Sequence, residues 1–322
     1  MRQDDGEVTH RLLALELVRV TGRAAMAAAA VRGRGDEQLA DQAAVDAMWS
    51  ELNRLNVRGR IVIGAGERDA APKLYAGEEV GTGEGPEVDI AANPLDGHTL
   101  CAKNLPNSLS AIAVATRGGL LDAPEIYMDK IAIGPGYPPG LVDLNMAPDE
   151  AIRRLAEAKG VAPRDISACI LDRPRHAGLI EKVRSTGASV RLIGDGDVSG
   201  IIHATEPDTT GIDIYLGSGG AQEGVLAAAA LRCIGGQMVG RLIVDTEEKR
   251  AAAERRGLRN ANRLYRAEDM ASGDVLFAAT GVTDGSLLSG VRFGRQTATT
   301  FSIVTRSRTR TQRWVRAKHQ MG

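Results

Sequence analysis

The pattern of hydrophobic and polar positions predicts two consecutive helices at the start of the chain. Residues 10–31 place apolar side chains at helical spacing in an alanine-rich segment, which is typical of a long helix that packs against a core. The Gly-Arg-Gly-Asp sequence at 33–36 interrupts this pattern, and a second helix is predicted over 37–53. In the second helix Asp41 has helical spacing to Val45, so its side chain should project from a defined face.

Two buried strands are predicted next, and each of them leads into a loop that contains glycine. The apolar runs at 59–64 and 88–92 have the length of buried strands. The loops that follow them, 64–67 and 93–99, are thus held at strand ends, where a rigid frame commonly presents catalytic side chains. We expect a functional site to be built around these two loops.

From about residue 148 the pattern changes to helices that alternate with strands. The predicted helices are 148–159, 175–185 and 223–233, and the predicted strands are 168–172 and 190–193. Such alternation indicates an α/β layer with a largely parallel sheet. We place the boundary between two domains near 160–166, which gives an N-terminal α+β domain (1–163) with the two loops and a C-terminal α/β domain (164–322).

The composition is typical of a soluble globular protein. The chain has 322 residues, of which 43% are hydrophobic and 25% charged, and its net charge of -1 predicts no nucleic-acid surface. No apolar run reaches the roughly 18 residues of a membrane span, and the acidic start of the chain is unlike a secretory signal. The cysteines, Cys101, Cys169 and Cys233, lack metal-ligand spacing, so we expect buried thiols in a cytoplasmic protein.

Basic residues are concentrated near the C-terminus. Arg306, Arg308 and Arg310 alternate with smaller residues, which would place them on one face of a strand. Charges on an edge strand discourage pairing with other chains, so we interpret this segment as a solvated edge.

The most informative motif is Asn-Pro-Leu-Asp-Gly-His-Thr at 93–99. It is similar to the Asp-Pro-x-Asp/Glu-Gly-Thr/Ser metal motif of sugar-phosphate and inositol-phosphate phosphatases, altered at two positions. Asn93 has an amide where that motif has a carboxylate, and an amide oxygen is a neutral and weaker ligand for a hard cation. His98 has an imidazole in place of the hydroxyl that helps to position the attacking water.

Further segments identify the family that the chain resembles. They are 40–45, 61–64, 80–83, 127–130, 173–176, 195–197 and 219–224. Together with the motif at 93–99, they resemble the class II fructose-1,6-bisphosphatases of bacteria, a branch of the lithium-sensitive, metal-dependent phosphatase superfamily, over most of the chain. The resemblance implies an α/β fold, a layered αβαβα sandwich, with Mn²⁺ or Mg²⁺ as cofactor. It also implies removal of the 1-phosphate of fructose 1,6-bisphosphate.

The resemblance implies a set of metal ligands from which two carboxylates are missing. The corresponding positions are Asp41, Asn93, Asp96 and Glu223, together with Ala65, which replaces a glutamate. Mn²⁺ or Mg²⁺ should therefore bind more weakly than to the complete motif. Glu67 is the nearby carboxylate that could compensate for Ala65, and Ala70 replaces a further acid of the family pattern. Taken alone, Asp41 could be an exposed helix acid, and Glu223 a first-turn acid favoured by the helix dipole.

The sugar-phosphate side of the implied site is complete. The resemblance assigns substrate binding to Gly97, Tyr127, Arg173, Arg175, Asp195, Asp197 and Gly220, all of which are present. Arginine guanidinium groups suit phosphate because they form bidentate, charge-assisted hydrogen bonds. Aspartates on a glycine turn can accept hydrogen bonds from sugar hydroxyls. The expected ligand is thus a small-molecule sugar phosphate.

We therefore predict a class II fructose-1,6-bisphosphatase-like enzyme whose hydrolysis of phosphate monoesters is weakened by Ala65, Asn93 and His98. The candidate catalytic residues are His98, Asp96 and Glu67, since an imidazole beside a carboxylate can act as an acid or base. Two alternatives stay open: a repurposed sugar-phosphate enzyme with non-hydrolytic acid–base chemistry, and a catalytically silent sugar-phosphate-binding protein. We expect a homo-oligomer that has neither nucleic acid nor membrane as a partner.

Overall fold

The chain folds into two compact units, one of which is built from both ends of the sequence. The computed structural model describes residues 5–66, 72–260 and 262–321. The first unit comprises Met1–Leu121 and Ala271–Gly322, and the second unit comprises Asp122–Met270.

The N-terminal part of the first unit begins with two long helices and continues into a sheet. Its elements are α1 (Asp5–Ala29), α2 (Glu37–Leu52), β1 (Arg58–Ile63), β2 (Glu79–Val80), β3 (Glu87–Asp96), α3 (His98–Ala102) and β4 (Leu109–Thr116). The two predicted helices are confirmed, and Asp36 caps α2 by accepting a hydrogen bond from the Leu39 amide at 2.9 Å. The prediction of a loop from residue 93 is wrong, because β3 continues through Asp96.

The second unit contains the predicted alternation of strands and helices. Its elements are β5 (Tyr127–Ile133), α4 (Pro148–Lys159), β6 (Ser167–Leu171), α5 (Ala177–Arg184), β7 (Ser189–Ile193), α6 (Asp197–Ile202), α7 (Pro207–Thr210), β8 (Ile214–Gly220), α8 (Ala221–Ile234), β9 (Gln237–Leu242), α9 (Glu247–Arg255), β10 (Tyr265–Arg266) and α10 (Ala267–Met270). A short 3₁₀ turn, Pro174–His176, precedes α5.

The C-terminal segment returns to the first unit. It forms β11 (Val275–Gly281), β12 (Arg292–Phe293), β13 (Thr297–Arg306) and β14 (Thr311–Gln320). The chain therefore does not divide at the expected boundary of 163/164. The reason is that β11 pairs along its whole length with β4, while β5 pairs with β8 and β9 of the second unit. Such long-range pairing leaves no signal in local composition.

The sheet of the first unit has the strand order β12-β13-β11-β4-β3-β1-β2, with β14 paired to β13. β1 and β3 are parallel, so the segments that follow them emerge at the same edge. Helices α1 and α2 pack on this sheet, and Leu17, Val20 and Met48 share a buried core with Ile90 and Ile112. Burial of these apolar side chains fixes the position of the helix that carries Asp41.

The sheet of the second unit has the order β10-β9-β5-β8-β6-β7. β6 is parallel to both β7 and β8, whereas β5, β9 and β10 join in antiparallel fashion. The sheet is thus mixed, and the prediction of a largely parallel sheet holds only for these three strands. Ile152 and Leu155 of α4 pack against Ile131, Ile170 and Ile214 of the sheet in a buried core.

The basic C-terminal segment is a strand end and a turn, and not a continuous strand. Arg306 ends β13 and is buried, where its Nη2 lies 2.6 Å from Asp274 Oδ2. Residues 307–310 form a turn in which Arg310 has a φ of 47°. The predicted shared face for Arg306, Arg308 and Arg310 is therefore wrong, because the chain reverses between β13 and β14.

The α/β class is confirmed by these two mixed sheets and the helices that cover them. Within the described part of the chain, no helix has the length and apolar character needed to cross a bilayer. Cys101, Cys169 and Cys233 are buried thiols outside any disulfide, as predicted, and burial raises the thiol pKa of Cys101 to about 11.

Candidate active site

Several segments of the second unit meet at one edge of its sheet. β6 and β7 are parallel with Leu171 opposite Ile193, and β8 is parallel to β6, so the residues after these strands lie at their common carboxyl edge. The antiparallel β5 begins at the same edge, because Tyr127 pairs with Gly220. This edge carries the predicted substrate-binding residues Tyr127, Arg173, Arg175, Asp195, Asp197 and Gly220.

Arg175 is held by two neighbours at this edge. Its Nε donates to Ser218 Oγ at 3.0 Å, and its Nη2 donates to the Ser218 carbonyl at 2.7 Å. The guanidinium carbon also lies 4.8 Å from the centre of the Tyr127 ring, which is a cation–π contact. These contacts use one edge and one face of the guanidinium, and its Nη1 has no hydrogen-bond acceptor among the described residues.

His176, next to Arg175, is buried and has a defined tautomer. Its Nε2 lies 2.9 Å from the Ser218 amide, which can only donate, so Nε2 accepts. Its Nδ1 then carries the proton and donates to the Leu171 carbonyl at 2.8 Å. Burial lowers the pKa of His176, and this outweighs the opposing effect of the bond to Leu171. A neutral imidazole therefore ties the end of β6 to β8.

Both oxygens of the Asp197 carboxylate accept hydrogen bonds from other side chains of the protein. One oxygen accepts from the ammonium of Lys130 on β5, and the other accepts from the Tyr215 hydroxyl on β8. The Lys130 side chain has 0% exposure and also donates to the Gly220 carbonyl at 2.8 Å. Burial, and then the charge of Asp197, raises the pKa of Tyr215 well above 10. Asp197, predicted to accept from the sugar, thus joins three elements of the protein.

Arg173 and Asp195 are less enclosed than Asp197. Arg173 Nη1 donates to the Asp172 carbonyl at 2.9 Å, and Asp195 Oδ1 accepts from the Gly196 amide at 2.9 Å. Both bonds are local, and each side chain is half-buried. Of the two predicted aspartates, Asp195 is the one whose side chain is more accessible.

Side chains of neighbouring residues lie against the end of β8, which has the sequence Gly217-Ser218-Gly219-Gly220. A side chain at Gly219 would put its Cβ 2.2 Å from Asp197 Oδ2, and one at Gly220 would put its Cβ 1.7 Å from Glu223 Oε2. Gly217 has a φ of 147° and would bring its Cβ to 3.1 Å from the His176 ring. The glycines therefore allow three functional side chains to approach the strand.

In the first unit, the structure brings together Asp41 and His98. Asp41 lies on α2, His98 begins α3, and His98 Nε2 is 3.6 Å from Asp41 Oδ1. Thr99 Oγ1 also donates to Glu37 Oε1 at 2.9 Å, which links the same two helices. Partial burial raises the pKa of Asp41, and His98 opposes this rise. The two side chains thus form an acid–imidazole pair.

Asn93 and Asp96 form a second pair on the last residues of β3. Asn93 pairs with Ala111 and Asp96 with Leu109, so the ladder is irregular between them. Pro94 lies in this irregularity, where its missing N–H removes no ladder bond. Asn93 Nδ2 donates to Asp96 Oδ1 at 3.4 Å. The amide therefore faces a carboxylate at the position where the family motif has two acids.

The glycines beside these pairs fix the backbone. Gly97 has a φ of 77° at the start of α3, and a Cβ there would lie 2.9 Å from Leu100 Cδ1. At Gly64 a Cβ would lie 1.9 Å from the Leu74 carbonyl, which is also the acceptor for the Ala65 amide at 2.8 Å. Ala65 is thereby placed after β1, but its methyl group offers no ligand atom. Glu67 and Ala70 lie outside the described residues.

Among the described residues, the first unit presents only part of the metal-ligand set that was predicted from the sequence. The first unit supplies two carboxylates, Asp41 and Asp96, with the amide of Asn93 and the imidazole of His98. Within the described part of the chain, no group of three or more His, Cys, Asp or Glu side chains is arranged to hold a metal ion. The predicted ligand Glu223 opens α8 in the second unit.

The interior residues that organise the sheet edge were not found from the sequence. Lys130, Tyr215 and Ser218 lie in strands, and nothing in the local strand pattern assigns a particular role to them. Two local signals could have pointed to them: a lysine within the apolar run of β5, and the unusual density of glycine around Ser218. His176, which bonds to Ser218, is likewise buried.

A family model and three similar proteins all indicate the same family for this chain. The family model described as bacterial fructose-1,6-bisphosphatase, glpX-encoded, matches residues 11–319. Two proteins of Synechococcus sp., from strains JA-3-3Ab and JA-2-3B'a(2-13), are each 42% identical to the chain over 332 aligned positions, which cover 95% of both sequences. A protein of Synechococcus elongatus is 41% identical over 334 positions and 96% of both sequences. All three are named D-fructose 1,6-bisphosphatase class 2/sedoheptulose 1,7-bisphosphatase. The chain therefore belongs to the bacterial class II fructose-1,6-bisphosphatase family.

Proposed function

We propose that this protein is a sugar-bisphosphate phosphatase that releases phosphate from fructose 1,6-bisphosphate, with hydrolysis weakened by its altered metal motif. The observation that carries this proposal is the 42% identity over 95% of both chains to relatives named for that activity. Those names include sedoheptulose 1,7-bisphosphate, so a seven-carbon sugar bisphosphate is a candidate substrate of the same class. None of these relatives is named as a non-hydrolytic or silent protein. We also propose a homo-oligomeric, cytoplasmic protein.

The second unit supports the binding part of this function. Arg175 is stacked on Tyr127 and keeps its Nη1 donors, and Arg173 belongs to the same short segment. Two guanidinium groups at one sheet edge can neutralise the phosphate that is not cleaved. Asp195 and the backbone around Gly220 then remain for the sugar hydroxyls. In this proposal Asp197 shapes the edge and does not contact the sugar, because both its oxygens already have partners.

The altered positions in the first unit support the proposal that hydrolysis is slow. Members of the family are metal-dependent, and metal ions supply charge neutralisation and an activated water in such sites. Hydrolysis of a phosphate monoester must lower a barrier by on the order of 20 kcal/mol. Ala65 and Asn93 remove two ligand charges, so we propose that Mn²⁺ or Mg²⁺ binds weakly through Asp41 and Asp96. His98 is the group proposed to take up a proton from the attacking water at Nδ1, since its Nε2 faces the Asp41 carboxylate.

A phosphate-release assay tests this function. Fructose 1,6-bisphosphate, sedoheptulose 1,7-bisphosphate and fructose 6-phosphate are incubated with the full chain and either Mn²⁺ or Mg²⁺. We expect slow release from the two bisphosphates, a further loss in His98→Ala, and an unchanged rate in Arg153→Ala, an exposed substitution on α4. If no bisphosphate yields phosphate above the background rate, the proposed function is wrong.

A further inference from the structure

The guanidinium of Arg175 is fixed before any ligand binds. Ser218 accepts from Nε at 3.0 Å through its hydroxyl and from Nη2 through its carbonyl at 2.7 Å. Tyr127 covers one face at 4.8 Å. A long arginine side chain that is already ordered loses less conformational freedom on binding an anion. Because Ser218 uses only the Nε/Nη2 edge, the Nη1 donors stay available to a ligand.

Ser218 is itself fixed by His176. The Ser218 amide donates to His176 Nε2 at 2.9 Å, and the Ser218 hydroxyl lies 3.1 Å from the same nitrogen. On the other side of the ring, Nδ1 donates to the Leu171 carbonyl at 2.8 Å. The ring lies against Gly217, where a Cβ would come to 3.1 Å from its Cε1. The imidazole thereby sets the position of both acceptors that hold Arg175.

We propose that Ser218 is a positioning residue that, held by the neutral imidazole of His176, fixes Arg175 for binding the phosphate group of the substrate. This inference rests on the proposed function in one respect, namely that the ligand is a sugar phosphate. It requires no turnover, since the pair acts on binding. Neither side chain contacts the phosphate in this arrangement, and both act through Arg175.

The first test measures binding of fructose 6-phosphate by calorimetry in the presence of a chelator. Ser218→Ala removes the hydroxyl acceptor and should weaken binding roughly 3- to 10-fold, the effect of one net hydrogen bond. Ser185→Ala is the matched control, because the hydroxyl of that serine donates to the Lys182 carbonyl at the end of α5, away from Arg175. The double variant Arg175→Ala/Ser218→Ala should bind no more weakly than Arg175→Ala, because Ser218 acts through Arg175.

The second test uses pH and needs no change at Ser218. Protonation of His176 would put a hydrogen on Nε2 that opposes the Ser218 amide, and burial shifts this protonation below pH 6.5. The charges that act on the ring are Arg175 and Arg173, which oppose its protonation, and Asp197, which favours it. Affinity for fructose 6-phosphate should therefore fall more steeply below pH 6.5 in the unmodified chain than in Arg175→Ala. Titration of the ligand's own phosphate, near pH 6, is common to both proteins.

The outcomes separate this inference from the proposed function. Equal affinity of Ser218→Ala and the unmodified chain would overturn the positioning role, as would additive losses in the double variant or parallel pH profiles. Absence of phosphate release with normal binding counts against the proposed function alone. If the unmodified chain releases phosphate from the bisphosphates but fails to bind fructose 6-phosphate, this inference alone is overturned. Far-ultraviolet circular dichroism establishes that each variant is folded.

Discussion

The imidazole nitrogen Nε2 of His98 lies 3.6 Å from Asp41 Oδ1, so the residue that begins α3 faces a carboxylate on α2. We propose that both side chains stand at positions of the family's metal site. An imidazole N–H beside Asp41 would compete with a divalent ion for the same carboxylate. This pair adds a competing donor to a proposed metal site that already lacks carboxylates at Ala65 and Asn93.

Metal binding should be weaker in this chain than in a variant with the missing carboxylates restored. Ligand charge is a main determinant of affinity for hard cations, so Ala65→Glu/Asn93→Asp should bind Mn²⁺ at least roughly 10-fold more tightly. Titration calorimetry of both proteins measures this. Micromolar binding at two or more sites in the unmodified chain would show that another carboxylate compensates, with Glu67 as the first residue to replace.

Phosphatase activity should return only when the altered positions are restored together. Ala65→Glu, Asn93→Asp and His98→Thr supply two ligands and a water-positioning hydroxyl, which act as a unit. We expect the triple variant to hydrolyse fructose 1,6-bisphosphate orders of magnitude faster than the parent, and each single variant to gain little. A folded triple variant with the parent's rate would place the defect elsewhere, and Ala70 would then be changed next.

Sugar-phosphate binding should depend on Arg175 and should survive removal of metal. Loss of hydrogen bonds to a charged group costs about 1.5–3 kcal/mol, so Arg175→Ala should bind fructose 6-phosphate roughly 10- to 150-fold more weakly. Calorimetry with and without a chelator measures both effects. Arg153→Ala, on α4 of the same unit, is the control that should bind normally. Complete loss of binding in the chelator would contradict a metal-independent phosphate site.

The buried ion pair between Lys130 and Asp197 should be a major contribution to the stability of the second unit. Lys130→Met leaves the Asp197 carboxylate buried without its cation, which should cost about 3–5 kcal/mol of unfolding free energy. Urea denaturation measures the loss. Adding Asp197→Asn should recover part of it, because the uncompensated charge is then gone. Lys249→Met, at an exposed pair with Asp245, should have little effect, and an equal loss there would contradict this account.

His203 should make the stability depend on pH. It is buried between α6 and α7, with Nε2 at 3.4 Å from Ser199 Oγ, and burial lowers its pKa from 6.5 to about 4. Below pH 6.5 the unfolded chain binds a proton that the folded chain excludes until about pH 4. Stability is therefore full above pH 6.5 and falls by about 3 kcal/mol as the pH drops through this window.

The test compares the stability of His203→Gln with that of the parent, measured by chemical denaturation across this pH window. The variant has no imidazole at this position, so its stability should fall less than that of the parent. His176, which is present in both proteins, contributes equally to each. Identical pH profiles of the two proteins would mean that His203 is not held neutral by the fold.

Residue identity and local pattern alone determined the family and the helices α1 and α2, and they predict the loss of two ligand carboxylates at Ala65 and Asn93. These features are encoded within short windows, because helix periodicity and a metal motif both extend over a few turns or residues. The carboxyl-edge position of Arg175 and Asp197 was also predictable, since it follows from parallel pairing of two successive strands.

Only the tertiary structure decided what these side chains touch. Asp197 and Lys130 are 67 residues apart in sequence, and Arg175 and Ser218 are 43 apart, so no local pattern pairs them. The same applies to the division of the chain into two units. β11 pairs with β4 although the whole second unit separates the two strands in sequence. Long-range strand pairing placed Asp197 in the interior and left Arg175 and Asp195 at the edge, because a buried carboxylate is stable only where partners satisfy its charge.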